Sequence, residues 1–147
     1  MKPTRWTTVV ALALGAGLLG WLVADRAYGD LVTLPVYAPV TALIIALFEL
    51  GLAKVVADKV RGRSPGRPMH PLQVARAAVL AKASSTAGAL LLGLYGGLFA
   101  WTFPRRDKLA AASHDALVAG LSAGACLLLL VAALLLERSC RTPPEHE

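Results

Sequence analysis

Glu49 is the one ionisable residue that falls well inside an apolar run, about eight positions before that run ends. A bare carboxylate at such depth is costly. It is left with three chemistries: an ion pair, a protonated acid, or a site that takes up and releases a proton or cation. Ala38, Ala42, Ala46 and Ala53 share its helical face, so it is expected to point towards other helices. Lys54 lies about 140° away around the helix and nearer the interface, where it is expected to snorkel. Lys82 sits on the small-residue face of a later run and is the better partner. The sequence therefore predicts an intramembrane Glu49–Lys82 charge pair tying two helices together.

The other reactive side chains suggest little chemistry. No CxxC, HExxH, P-loop or GxSxG spacing occurs. Cys126 and Cys140 are separated by roughly 21 Å along one helix, too far to bridge within the chain. His114 has no second His, Cys or clustered carboxylate nearby in sequence, so no metal is expected. The hydroxyls of Ser84, Ser85 and Thr86 are expected to bond their own helix carbonyls. Without a recognisable nucleophile, base or metal set, an enzyme is not expected, and neither is a cofactor.

The elements that position these residues follow from how charge is distributed. The chain has 147 residues, 56% hydrophobic and 16% charged, and its charges gather into clusters that leave four long apolar runs. Transmembrane helices are predicted over about 6–24, 35–57, 79–103 and 116–136, each near the 20 residues that cross ~30 Å of hydrocarbon. The fold class is all-α: one polytopic membrane domain over 1–147, with a disordered cytoplasmic tail over 138–147, where Pro143 and Pro144 break the helix. The first run, with Trp21 near its end and no small-x-small cleavage site, reads as a permanent anchor. The third belongs to a longer helix over 69–103, opened near Pro71 and stopped by Pro104.

In lipid, helices associate through close backbone approach, which small residues permit. On the third helix Ala75, Ala78, Lys82, Ser85, Thr86, Ala89, Gly93, Gly96 and Ala100 share one face, expected to pack. Leu80, Leu91, Leu94, Tyr95 and Leu98 lie opposite and are expected to meet lipid. Gly93 and Gly97 add a Gly-x-x-x-Gly spacing; Gly17 and Gly20 give the first helix a flat side. Gly120 and Gly124 do the same for the outer half of the fourth helix, whose Leu-rich inner half is expected to face lipid.

The net charge is +6. A soluble chain with that balance would raise nucleic-acid binding, but cytoplasmic loops of membrane proteins collect the same residues. With both termini cytoplasmic, that side holds eleven Lys and Arg against four opposite, which sets the orientation expected in a bacterial inner membrane. Lys59, Arg61, Arg63, Arg67 and Arg76 then face lipid headgroups, most of them in a Gly- and Pro-rich loop over 59–68. Trp21, Tyr28, Tyr37, Phe99, Trp101 and Phe103 are expected to form an outer aromatic belt.

At His70-Pro-Leu-Gln-Val-Ala-Arg, Ala81-Lys-Ala-Ser and Phe103-Pro-Arg-Arg, the chain resembles a family of small actinobacterial four-helix integral membrane proteins of unknown function. The resemblance implies a four-helix membrane fold and a frequent gene neighbourhood with folate biosynthesis, but no catalytic residues. The function expected is an accessory or scaffolding subunit, with the bilayer and another membrane protein or itself as partners and no nucleic acid. The alternative is a small transporter or ion-coupled carrier using Glu49.

Overall fold

A computed structural model describes residues 6–27, 34–60, 71–106 and 110–140. They form helices α1 (Trp6–Ala27), α2 (Ala38–Val60), α3 (Pro71–Thr102) and α4 (Ala110–Ser139), with a 3-10 turn over Phe103–Arg105. All four helices are long and apolar enough to cross a membrane, and no strand occurs among the described residues. The protein is an all-α, multi-pass membrane protein.

The helices outrun the apolar stretches because good helix formers continue past them. α4 begins at Ala110 instead of 116, so His114 and Asp115 lie within its second turn. Pro39 is the second residue of α2, where a missing N–H costs nothing, and the Pro35 carbonyl accepts the Ala38 N–H at 3.1 Å just before it. At the end of α3, Pro104 lies in the 3-10 turn. The basic residues Arg61, Arg63 and Arg67, Tyr28, and the tail beyond Cys140 lie outside the described residues.

α1 packs on α3, α3 on α4, and α4 on α2. α1 and α3 run parallel: Val9, near the start of α1, clusters with Ala89, just past the middle of α3, and Asp25 meets Trp101 near the ends of both. α2 and α4 are parallel too, joined by Leu34 and Asp115 at one end and by Val56 and Leu136 at the other. The two pairs are antiparallel to each other. We call the end where α1 and α3 begin the near end, and the opposite end the far end.

Each parallel pair has its own repeat. On α3, Ala77, Ala81, Ser85, Ala89, Gly93, Gly97 and Trp101 are all buried at an unbroken spacing of four. Four residues advance about 400°, so this ridge turns about 40° per step around the helix. Its near half meets α2 and α4 through Ala77, Ala81 and Leu136; its far half meets α1. α2 instead buries Ala42, Ala46, Glu49, Ala53 and Val56 at alternating spacings of four and three, the 3.5-residue repeat of a coiled-coil seam. Asp115, Ala119, Ser122, Cys126, Leu129, Ala133 and Leu136 of α4 follow the same rhythm.

α4 corrects one expectation. Its Leu-rich half is not wholly uncovered: Leu129, Leu130, Ala132, Ala133 and Leu136 are buried, while Leu127, Leu128, Val131 and Leu135 are exposed. The helix stands between α2 and α3, so two of its faces are covered along most of its length.

Candidate functional site

Glu49 stands eleven residues from each end of α2, about 16 Å either way, and is 1% exposed. Ala42 packs beside Ala125 and Cys126, and Val56 clusters with Leu136, so Glu49 faces the part of α4 between those levels. Residues 127–135 of α4 are all Leu, Val or Ala. Ser84 of α3 approaches the carboxyl, but neither Oε1 nor Oε2 closes a hydrogen bond of ordinary length. The site is thus one carboxyl group in a largely apolar seam at mid-helix, with the Ser84 hydroxyl near it and no charge among the described residues to neutralise it.

The predicted pair with Lys82 does not form. Lys82 is exposed, next to the buried Ala81 but turned about 100° from it, and it lines a groove with Val79, Ala83 and Thr86. α2 does reach α3 near this level, through Ala53 and Val56 beside Ala77 and Ala81, but Lys82 lies outside that contact. The expectation assumed one packing face for α3, whereas its buried ridge winds and leaves Lys82 outside. Ser85 and Thr86 each donate to the Lys82 carbonyl at 3.0 Å, so these hydroxyls serve their own helix.

The glycines divide sharply. A Cβ on Gly93 would meet the Ala13 backbone, and one on Gly97 would meet the Gly17 carbonyl. A Cβ on Gly20 would come within 2.5 Å of the Leu94 carbonyl, and one on Gly17 within 3.4 Å of the Gly93 carbonyl. α1 and α3 therefore touch backbone to backbone, and Ala89 is buried on the same ridge. Gly120 faces the Phe99 ring, whereas Gly96 and Gly124 have nothing within 4 Å and do not pack as expected. Lys59 and Arg76 are exposed.

A polar cluster that was not anticipated sits at the far end. The Trp101 indole N–H donates to Asp25 at 3.1 Å, and the Arg105 guanidinium stacks 4.3 Å over the ring while donating to the Trp101 carbonyl at 2.9 Å. Trp101 is therefore 7% exposed and not a lipid-facing belt residue, whereas Trp21, Tyr37 and Phe103 are exposed. Asp115 accepts the Leu34 N–H at 3.1 Å and lies 3.4 Å from His114 Nδ1. The seam spacing Asp115, Ala119, Ser122 is the available signal, and a fourth helix counted only from 116 leaves Asp115 outside it. Among the described residues no three His, Cys, Asp or Glu come together as a metal site would need.

A family model described as a protein of unknown function (DUF3180) matches residues 9–144. The chain belongs to that family. No curated protein and no solved structure matches the chain significantly. The DUF3180 match runs through all four helices and includes Glu49, Lys82 and the α1–α3 glycines, and its description assigns no reaction to any of them.

Proposed function

We propose that this DUF3180 protein is an accessory or scaffolding subunit that binds another membrane protein, or a second copy of itself, in an actinobacterial inner membrane. Both termini and the 59–68 loop are cytoplasmic in this reading, supported by the eleven-to-four count of basic residues. The observation that carries it is the set of uncovered glycines. Gly15 of α1 and Gly51 of α2 are exposed with nothing within 4 Å. A glycine inside a helix costs roughly 0.5–1 kcal/mol relative to alanine, and at Gly17, Gly20, Gly93 and Gly97 that cost is offset by backbone contact. In this reading the helix that approaches the exposed Gly15 and Gly51 comes from a partner.

The test is purification in mild detergent of the wild type and of Gly15→Leu and Gly51→Leu. Both variants should keep the wild-type melting temperature, and at least one should lose its co-purifying protein or its self-association. Unchanged association in both would remove the basis of the proposal.

A second reading, a proton- or cation-coupled carrier, is favoured by one observation: Glu49 is buried without a hydrogen-bond partner. Proteoliposomes with a pH-sensitive dye separate the two. Glu49-dependent proton flux supports the carrier; its absence supports the subunit.

A further inference from the structure

The shallow, open groove that holds Lys82 runs along one side of α3, with Val79 and Leu90 at its two ends and Ala78, Ala83, Thr86 and Ala87 along it. α3 is 32 residues long, about 48 Å, and so outruns a ~30 Å hydrocarbon core. At its far end, Trp101 with Arg105 and Asp25 is the kind of aromatic and charged group that marks an interface. Counting back about 20 residues from Thr102, the length that spans the core, reaches Lys82. Lys82 therefore lies at the headgroup boundary of the near-end leaflet. Ala78 and Val79 extend towards the headgroups, and Ala83, Thr86, Ala87 and Leu90 extend into the acyl region.

Lys82 is exposed and has no ion-pair partner among the described residues, and the buried Glu49 carboxyl makes no bond to it. Thr86 is already satisfied by the Lys82 carbonyl, so the groove presents one cation and otherwise apolar surface. That pattern complements a molecule with an anionic head and a hydrocarbon tail, oriented along the bilayer normal.

We infer that the groove binds an anionic phospholipid, with its phosphate on the Lys82 ammonium and an acyl chain along the alanines. An unpaired lysine near a charged membrane surface gives about a fivefold preference for an anionic over a zwitterionic lipid. The alanines hold the chain by shape, since larger side chains would fill its path. This assignment is independent of any protein partner and stands if that reading fails.

Native mass spectrometry of the purified full chain, exposed to equimolar dioleoylphosphatidylglycerol and dioleoylphosphatidylcholine, tests it. The wild type should retain one phosphatidylglycerol at about a fivefold preference. Lys82→Gln should abolish the preference, Lys82→Arg should keep it, and Lys54→Gln on α2 should not change it. Ala83→Leu should reduce retention of both lipids without altering charge. Circular dichroism confirms that each variant is folded, and Lys82→Arg with Ala83→Leu keeps the test decisive if Lys82→Gln is not. Equal retention of the two lipids, a preference that survives Lys82→Gln, displacement by inorganic phosphate, or a dimer lost in Ala83→Leu would each overturn the assignment.

Discussion

The indole of Trp101 and the carboxylate of Asp25 join the far ends of α3 and α1 through a 3.1 Å hydrogen bond. Because α1 touches the rest of the protein chiefly through α3, this bond fixes the far end of a helix that is otherwise held by glycine contacts and the Val9 cluster. Asp25→Ala should cost about 1–2 kcal/mol and Trp101→Phe a similar amount. The double variant should lose little more than either single one, whereas Asp25→Asn, which keeps an acceptor, should lose less. Chemical denaturation in detergent measures all four; additive losses would mean the bond contributes nothing.

Gly97→Ala and Gly93→Ala should each destabilise the protein by about 1–3 kcal/mol, since the added methyl runs into the α1 backbone. Gly96→Ala and Gly124→Ala should be neutral or slightly stabilising, because nothing lies over those positions and alanine favours the helix. Equal losses at Gly96 and Gly97 in thermal melts would contradict the winding ridge.

For Glu49, the absence of a counter-charge reverses what an ion pair would give. Glu49→Leu should leave stability unchanged or raise it by about 1–3 kcal/mol, since it removes a buried group with no hydrogen bond. Glu49→Gln combined with Lys82→Met should be additive within about 0.5 kcal/mol, as for residues without shared partners. A coupling well above that value would restore a link between the two residues.

Cys140, one residue past α4, has its thiol pushed up by burial and further by the negative charge of Glu137. The folded state disfavours the thiolate, so the unfolded chain releases its proton first. This contribution to stability is present below the ordinary thiol value of about 8.5 and is lost as pH rises above it. Maleimide labelling at neutral pH should be slower in the folded protein than in denaturant. Equal rates would show Cys140 to be fully solvated.

Much of the architecture was legible because the bilayer imposes simple rules on length and apolarity. Four runs near 20 residues, the prolines at Pro71 and Pro104, and the small faces containing Gly17, Gly93 and Ala42 all follow from crossing hydrocarbon and packing without a hydrophobic force. What was not legible depends on neighbour order. The α3 ridge and the face carrying Lys82 and Gly96 differ by a modest rotation, and only knowing that α1 and α4 occupy different sides of α3 decides between them. Leu129 and Leu136 look like lipid-facing residues until α4 is seen to be central. Trp101 and Asp115 carry polar groups whose partners, Asp25 and Leu34, are distant in sequence, so no local pattern announced them.

The order of contact, α1–α3–α4–α2, also bears on how the protein is made. Helices leave the ribosome in chain order, yet α1 and α2, the first two to enter the membrane, stand at opposite ends of that order. Each is without its main partner until the second half of the chain has been inserted, α1 waiting for α3 and α2 for α4. A nascent chain halted after residue 60 would hold two solitary helices, with the carboxyl group of Glu49 facing lipid or an insertion factor in place of α4.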